Sequence, residues 1–230
     1  MIGFIQIALV VALMLSLPMW RKVAADNHEA HAKPALFVGN MQVFKVHGAV
    51  LSLLCFFCMT GFEGSAGIWI SSYLVEMRGV SAQNAAWLSS LFFMGTTLGR
   101  VVSGFVAMKF KSISMIRMGL GVALCASILI LLPLPLPVTI AGFLLLGIGN
   151  APIYPSMMHA TPRRFGPGVS QAVMGLQVAA AYTSAICIPP MLGQLSKVLT
   201  LQVVPWAIAL LILVAIAMNE ALQRTLAKGK

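Results

Sequence analysis

Seven long runs of apolar residues, separated by polar connectors, dominate this sequence. The runs span residues 2–20, 47–74, 84–107, 113–132, 138–158, 169–192 and 203–221. A helix needs about 20 apolar residues to cross the hydrocarbon core of a bilayer, and each run is close to or above that length. Only 9% of the 230 residues are charged, against about 25% in soluble globular domains. The sequence therefore predicts an all-α membrane protein with seven transmembrane helices.

One connector differs from the others. Residues 21–45 form a long polar stretch with two histidines, whereas the remaining connectors are short and rich in Gly, Pro and charge. We interpret this stretch as a linker between two helical bodies. The predicted organisation is a transmembrane helix over 1–20, the linker over 21–45, a six-helix bundle over 46–222 and a tail over 223–230.

Lys and Arg are distributed unequally between the two sets of connectors. Eleven lie in the 21–45 linker, near Lys109 and Arg163, and in the tail, whereas the opposite set holds only Arg78 and Lys197. Basic residues accumulate in cytoplasmic loops. The pattern predicts a multi-pass protein of the plasma or inner membrane with a cytoplasmic linker and C-terminus. Its first segment then starts on the outer side without a leader, and we expect the chain to be the later part of a longer protein.

A single carboxylate interrupts the second apolar run, within TGFEGSAGIWISSYL. Glu63 lies 11 residues before Leu74, the predicted end of its helix. Charged side chains inside a membrane are costly, and they almost always face a cavity or a partner. A carboxylate in a partly dehydrated cavity takes up a proton more readily than one in water, which favours a role in proton or cation coupling. The alternative is that Glu63 lies at the outer mouth and meets water.

Two aromatic residues follow Glu63 on the same helix. At about 100° per residue, Trp69 and Tyr73 fall within an arc of roughly 120° with Glu63. The carboxylate, the indole and the phenol can therefore share one face, where the two rings would contact a solute.

The fifth apolar run contains the stretch GIGNAPIYPS. Pro152 and Pro155 each remove a helical hydrogen bond, and inside a membrane such a break persists only against protein or a water-lined cavity. Asn150 and Tyr154 are four residues apart and share a face beside the break. This pattern predicts a mobile, cavity-lining helix with Pro152 and Pro155 as its hinge. The alternative is a proline kink that serves packing alone.

Three further polar side chains lie in the sixth run. Gln171 and Tyr182 align on one face of the helix, and Gln177 lies roughly 120° away. Buried amides bond either to a ligand or to another helix, and the sequence favours neither. Arg100 lies about two turns inside the predicted cytoplasmic edge. It either acts there as a gate residue that pairs with a carbonyl group or another gate residue, or it extends its charge to the membrane interface.

Other classes of protein receive little support from the sequence. The net charge of +10 does not indicate nucleic-acid binding, because the basic residues form no patch with interleaved aromatic residues. No histidine has a partner at metal-ligand spacing, and no glycine-rich phosphate loop or serine elbow is present. We therefore predict no enzyme, no metal and no cofactor. An intramembrane enzyme and a non-transporting seven-helix protein stay open as alternatives.

The motifs, taken together, resemble the second half of major facilitator superfamily transporters. The Gly-x-Glu…Trp…Tyr-Leu pattern around Glu63 resembles their seventh helix, especially in fucose-permease-like sugar porters. GTTLGRVVSG resembles the eighth helix, GIGNAPIYPSMMHATPRRFG the tenth with its loop, and SQAVMGLQVAAAY the eleventh. The resemblance covers Val46 to about Leu222. It identifies the first run with the sixth helix and residues 21–45 with the central cytoplasmic loop.

The resemblance implies a secondary active transporter whose solute lies between two six-helix bundles. This chain carries one bundle, so the N-terminal half-bundle would be a missing partner. The expected solute is small and polar, a sugar or else a small organic anion, with H⁺ or Na⁺ coupled through Glu63. The resemblance then gives solute contacts to the aromatic and amide side chains named above, which are Trp69, Tyr73, Asn150, Tyr154, Gln171, Gln177 and Tyr182.

Overall fold

The computed structural model describes residues 6, 7, 10–18, 20 and 43–228. The chain divides into two compact units, residues 1–36 and 37–230. In the first unit, residues 10–18 are helical. The rest of the predicted first helix, most of the predicted linker and the last two residues of the tail lie outside the described residues.

The second unit is built from α-helices joined by short turns. In chain order they are α1 (Ala49–Arg78), α2 (Ala82–Val106), α3 (Ser112–Leu131), α4 (Leu136–Asn150), α5 (Ile153–Phe165), α6 (Pro167–Leu199) and α7 (Val203–Lys228).

Among the described residues, six helical segments are long and apolar enough to cross a bilayer, and α4 with α5 counts as one of them. The prediction of an all-α membrane protein with a six-helix bundle is therefore confirmed. One boundary differs from the prediction, because α7 runs on to Lys228 through residues that the sequence placed in the 223–230 tail. Leu222, the residue before this predicted tail, is fully buried, so the helix is still packed against the bundle where the tail begins.

Glycines and a serine set the ends of α1 and the start of α2. Gly48 and Gly79 flank α1 with φ angles of 83° and 65°, which side chains with a Cβ rarely adopt. The Gly79 N–H donates to the Leu74 carbonyl and closes the helix. Ser81 then caps α2 by accepting from the Asn84 N–H. These local signals produce the tight connection between the two helices.

α1 is the centre of the bundle. It packs against α6 and α7 on one side and against α2 on another, while α4 lies between α2 and α3. Buried aromatic side chains from α1, α2 and α4 fill the core where these helices meet. The largest of them are Phe56, Phe62, Phe92 and Phe143.

α4 approaches its neighbours backbone to backbone. A Cβ at Gly147 would collide with the Phe92 carbonyl of α2, and one at Gly95 with the Leu144 carbonyl. On the opposite side, a Cβ at Gly149 would lie 2.6 Å from the Ala123 nitrogen of α3. Small residues allow such approaches between membrane helices. α4 is consequently held between two neighbours with no space for a side chain.

The span then breaks at Ala151 and Pro152, which adopt a turn between α4 and α5. Pro152 has no N–H to donate to the preceding turn, and the regular helix resumes only at Ile153. The break falls beside the middle of α1, because Asn150 interacts with Glu63. It therefore coincides with the carboxylate that the sequence singled out.

Candidate functional site

A cavity of about 930 Å³ lies between α1, α2, α5 and α6. It extends from Glu63 in the middle of α1 to Ser112 and Arg163 at one end of the bundle. We call that end the basic end, defined by Lys109, Lys111, Arg163 and Arg164. Most of the polar side chains that the sequence predicted for a site line this cavity. They are Glu63, Arg100, Asn150, Tyr154 and Tyr182, together with Pro152 and Pro155, the prolines of the predicted hinge.

Glu63 is half-buried on the cavity wall. It lies at the midpoint of α1 and 15 residues before Arg78, where the helix ends. Its carboxyl group interacts with the Asn150 amide and with the charge of Arg100. The structure thus places Glu63 well inside the bundle, on a cavity that extends toward the basic end.

Asn150 ends α4 directly before the break. Its side chain is 3% exposed, and its Oδ1 atom has no hydrogen-bond partner among the described residues. A buried acceptor without a partner is costly. The amide is therefore positioned to accept a hydrogen bond from a ligand hydroxyl or from a protonated carboxyl group.

Two tyrosines lie on the cavity wall from different helices. Tyr154 of α5 contacts Phe56 edge to face, with ring centroids 5.4 Å apart, and it remains 37% exposed. Tyr182 of α6 is 68% exposed. Both offer a ring face and a hydroxyl group, which together suit a sugar-sized polar molecule.

Positive charge dominates the cavity toward the basic end. Arg100, His159 and Arg163 line this part, and Glu63 is the carboxylate among the lining residues. Sequence reasoning missed His159 as a site residue because it judged histidines by metal spacing. It missed Arg163 because it counted this residue only among the basic residues of a connector. Their signal is the helical repeat Pro152, Pro155, His159 and Arg163, whose members recur every three or four residues and share one face of α5.

The structure does not bring Trp69 or Tyr73 to this cavity. The Trp69 indole N–H donates to the Pro189 carbonyl of α6 at 3.0 Å. Tyr73 is buried, with its ring edge to face against Phe143 at 6.4 Å between centroids. Both side chains thus contact neighbouring helices in the described structure, on the far side of Glu63 from the cavity.

The two glutamines of α6 also lie outside the cavity. Gln177 is fully buried; its Nε2 donates to the Ser52 hydroxyl at 2.6 Å, and its Oε1 accepts from Thr161 at 3.1 Å. It therefore joins α6 to α1 and α5, as the helix-to-helix alternative anticipated. Gln171 is exposed.

Groups of three or more His, Cys, Asp or Glu side chains that could hold a metal ion are absent from the described part of the chain. The polar groups that line the cavity are one carboxylate, two guanidinium groups, one imidazole, one amide and the hydroxyl groups of tyrosine, serine and threonine side chains. Such a set binds polar molecules and exchanges protons.

The Major Facilitator Superfamily model matches this chain over residues 1–190 and again over 53–225. The chain therefore belongs to the Major Facilitator Superfamily. It is similar to an uncharacterised MFS-type transporter of Yersinia pestis, with 24% identity over 76% of the chain. It is also similar to the major facilitator superfamily domain-containing protein 4A of Xenopus tropicalis, with 28% identity over 61% of the chain.

Solved structures agree on the fold. The chain superposes on the MFS transporter FucP in its outward conformation with a TM-score of 0.71, at 15% identity and over 83% of the chain. It superposes on a variant of the E. coli fucose:proton symporter FucP with a TM-score of 0.70, also at 15% identity. It covers 46% and 47% of those two chains. It covers 45% and 29% of the two curated relatives, and so spans less than half of every relative named here.

Proposed function

We propose that this chain is one half of a secondary active transporter that moves a small polar solute, of the sugar class, together with a proton. The observation that carries the proposal is the polar pair at the helix break, where the half-buried Glu63 and the buried Asn150 both line a cavity of about 930 Å³. Glu63 exchanges the proton, and Asn150 with Tyr154 and Tyr182 bonds the solute. Pro152 and Pro155 let α5 bend, and Arg100 closes the cavity toward the basic end.

The partner in this proposal is a second six-helix bundle. α2 and α6 are the least buried of the six spans, with 28% of the most apolar part of each buried inside the bundle, against 56% for α1. Both helices line the cavity, so a bundle packed against them would close it on its open side. The share of the relatives' length that the chain covers agrees with one bundle of two. The basic end then faces the cytoplasm, in a plasma or inner membrane.

The lining of the cavity supports the proposed solute class. Tyrosine rings beside hydroxyl and amide groups favour a sugar, whose polar rim and apolar ring faces they complement. FucP is described as a fucose:proton symporter. Its similarity to this chain, at 15% identity, supports the fold alone. Arg100 and Arg163 favour a second candidate class, small organic anions.

The test is uptake into vesicles by the intact transporter, meaning this chain with its proposed second bundle. Labelled fucose is the first probe, driven by an inward pH gradient, with unlabelled sugars and small carboxylates as competitors. Glu63→Gln should abolish gradient-driven accumulation while leaving fucose exchange across the vesicle membrane. Glu76→Gln is the matched control, because Glu76 is exposed on the same helix and should behave as wild type.

Two results separate the parts of this proposal. Gradient-driven uptake that survives Glu63→Gln would contradict the coupling role. Competition by carboxylates and not by sugars would replace the sugar class by organic anions and leave the transporter assignment in place.

A further inference from the structure

A second cavity of about 700 Å³ lies at the basic end, apart from the Glu63–Asn150 pair. We call it the basic cleft. Its cationic and neutral donors come from the start of α1, the α2–α3 turn, the end of α5 and the end of α7. They are His47, Lys111, Arg163, Arg164 and Gln223.

Arg164 is the unusual member of the basic cleft. All three of its guanidinium nitrogens are buried, and none has a hydrogen-bond partner among the described residues. The Gln223 Nε2 atom, on the same cleft, is also buried and without such a partner. A buried guanidinium group offers five N–H donors, and leaving them unused is costly. These donors therefore require an acceptor that the described residues do not supply.

The described carboxylates lie elsewhere. Glu63 lines the first cavity, Glu220 forms an ion pair with Arg117 at 2.6 Å, and Glu76 lies near the other end of α1. None of them lines the basic cleft. A cluster of cations with one buried guanidinium group and no acid among its described lining is a site for an external anion.

The first turn of α3 adds donors at the same place. Lys111, Ser112 and Ile113 line the basic cleft, and α3 begins there without a side-chain cap or an acidic residue in its first turn. The first N–H groups of a helix have no partner within the helix, and its dipole favours an anion. This feature alone would define no site. It reinforces the donors of Arg164 and Lys111, which face the same space.

We propose that the basic cleft binds a phosphate group, with the Arg164 guanidinium as its principal donor. Phosphate oxygens match the planar fork of arginine, and Lys111 and the start of α3 supply further donors. The phosphate belongs either to an anionic phospholipid or to a soluble phosphate. Val46, Phe165 and Leu226 also line the cleft and give it an apolar side suited to lipid chains. Basic pockets between membrane helices bind such headgroups.

The experiment measures binding to the purified protein that contains the whole chain. Bound lipid is counted by native mass spectrometry, and the shift in thermal unfolding is recorded, with phosphatidylglycerol, phosphatidylcholine or inorganic phosphate added. Phosphatidylglycerol or phosphate should bind, and Arg164→Gln should weaken that binding about ten- to hundredfold. Lys109→Gln is the matched control, because Lys109 carries the same charge at the same end but lies outside the cleft.

A second variant keeps the test decisive if Arg164→Gln does not fold. Gln223→Glu places a carboxylate inside the basic cleft, and it should abolish the response to phosphatidylglycerol or phosphate without loss of thermal stability. A response to phosphatidylglycerol alone assigns the site to a lipid headgroup, and a response to inorganic phosphate assigns it to a soluble phosphate.

Other results overturn the proposal. One is binding that is equal for phosphatidylglycerol and phosphatidylcholine with no response to phosphate. Another is a response that neither Arg164→Gln nor Gln223→Glu alters. Asp26 and Glu29 are the two acids outside the described residues. A response that appears only when both are neutralised, by Asp26→Asn with Glu29→Gln, would also overturn the proposal.

Discussion

α4 and α5 belong to one membrane span but have opposite surroundings. α4 packs through Gly147 and Gly149 against the backbones of α2 and α3, with no space for a side chain. α5 begins after the turn at Ala151 and Pro152 and lines the cavity with polar side chains. Under the proposed function, α4 is a fixed support and α5 is the part that responds to a solute. Asn150 lies at the junction, where α4 fixes its position beside Glu63.

We expect the largest effect from a substitution in α4, which is the tightly packed half of this membrane span. Gly147→Ala would place a Cβ against the Phe92 carbonyl, and α2 and α4 would have to separate. We expect the free energy of unfolding to fall by about 3 kcal/mol, measured by thermal or denaturant unfolding in detergent. Gly121→Ala is the control, because a Cβ there meets nothing within 4 Å, and it should cost nothing. Equal stability of the two variants would refute the tight packing of α4.

The face of α5 that points away from the cavity should contribute to stability and not to solute binding. Gln177 is fully buried and accepts a hydrogen bond from Thr161 of α5. Gln177→Ala should lower the free energy of unfolding by about 1–2 kcal/mol and leave the apparent solute affinity unchanged. Gln171→Ala, at an exposed position of the same helix, should change neither quantity. A large loss of affinity at Gln177 would move the solute site to this face.

A substitution of Asn150, at the junction of α4 and α5, should affect the affinity for the solute more than the stability of the protein. Asn150→Ala removes the amide that faces Glu63, and we expect the apparent affinity for the transported solute to fall about tenfold. Uptake measured over a range of solute concentrations gives this value. Asn219→Ala is the matched control, because Asn219 is equally buried but lies on α7 outside the cavity. Similar affinity for both variants would remove Asn150 from the site.

The smallest effect should fall on the rate of transport. Pro155→Ala restores an N–H donor near the break and stiffens α5. We expect uptake to slow about fivefold, equivalent to about 1 kcal/mol in the barrier, with no loss of stability. Pro162→Ala, in the same helix but away from the break, should leave the rate unchanged. A rate unaffected by Pro155→Ala would leave the break as a packing feature.

The fold and the polar residues around Glu63 in the cavity could be predicted from the sequence for a common reason. Apolar runs of membrane-spanning length report burial directly, and a polar outlier such as Glu63 or Asn150 stands out against them. The prediction for Trp69 and Tyr73 used angle alone. Tyr73 lies ten residues beyond Glu63, or roughly 15 Å along the helix axis, while the cavity extends in the opposite direction. The angular position of a residue around a helix does not give its position along the helix axis. It is this position along the axis that separates the Trp69 and Tyr73 rings from the cavity.

Tertiary contacts account for the remaining differences. Gln177 and Gln171 look alike in sequence, and only the neighbouring Ser52 and Thr161 make one of them a buried bridge. His159 and Arg163 line the cavity because α5 presents one face to it after the break. The helical repeat that begins at Pro152 predicts that these residues share a face, but not that this face borders a cavity.

The most direct test of the account asks whether the solute occupies the Glu63 cavity. In the intact transporter with its native cysteines replaced by serine, Ala185→Cys and Ile186→Cys are labelled with a maleimide, with and without the transported sugar. Both residues are exposed on α6, but Ala185 lines the cavity and Ile186 does not. We predict that the sugar slows labelling at position 185 alone. Equal labelling of position 185 with and without the sugar would contradict this prediction.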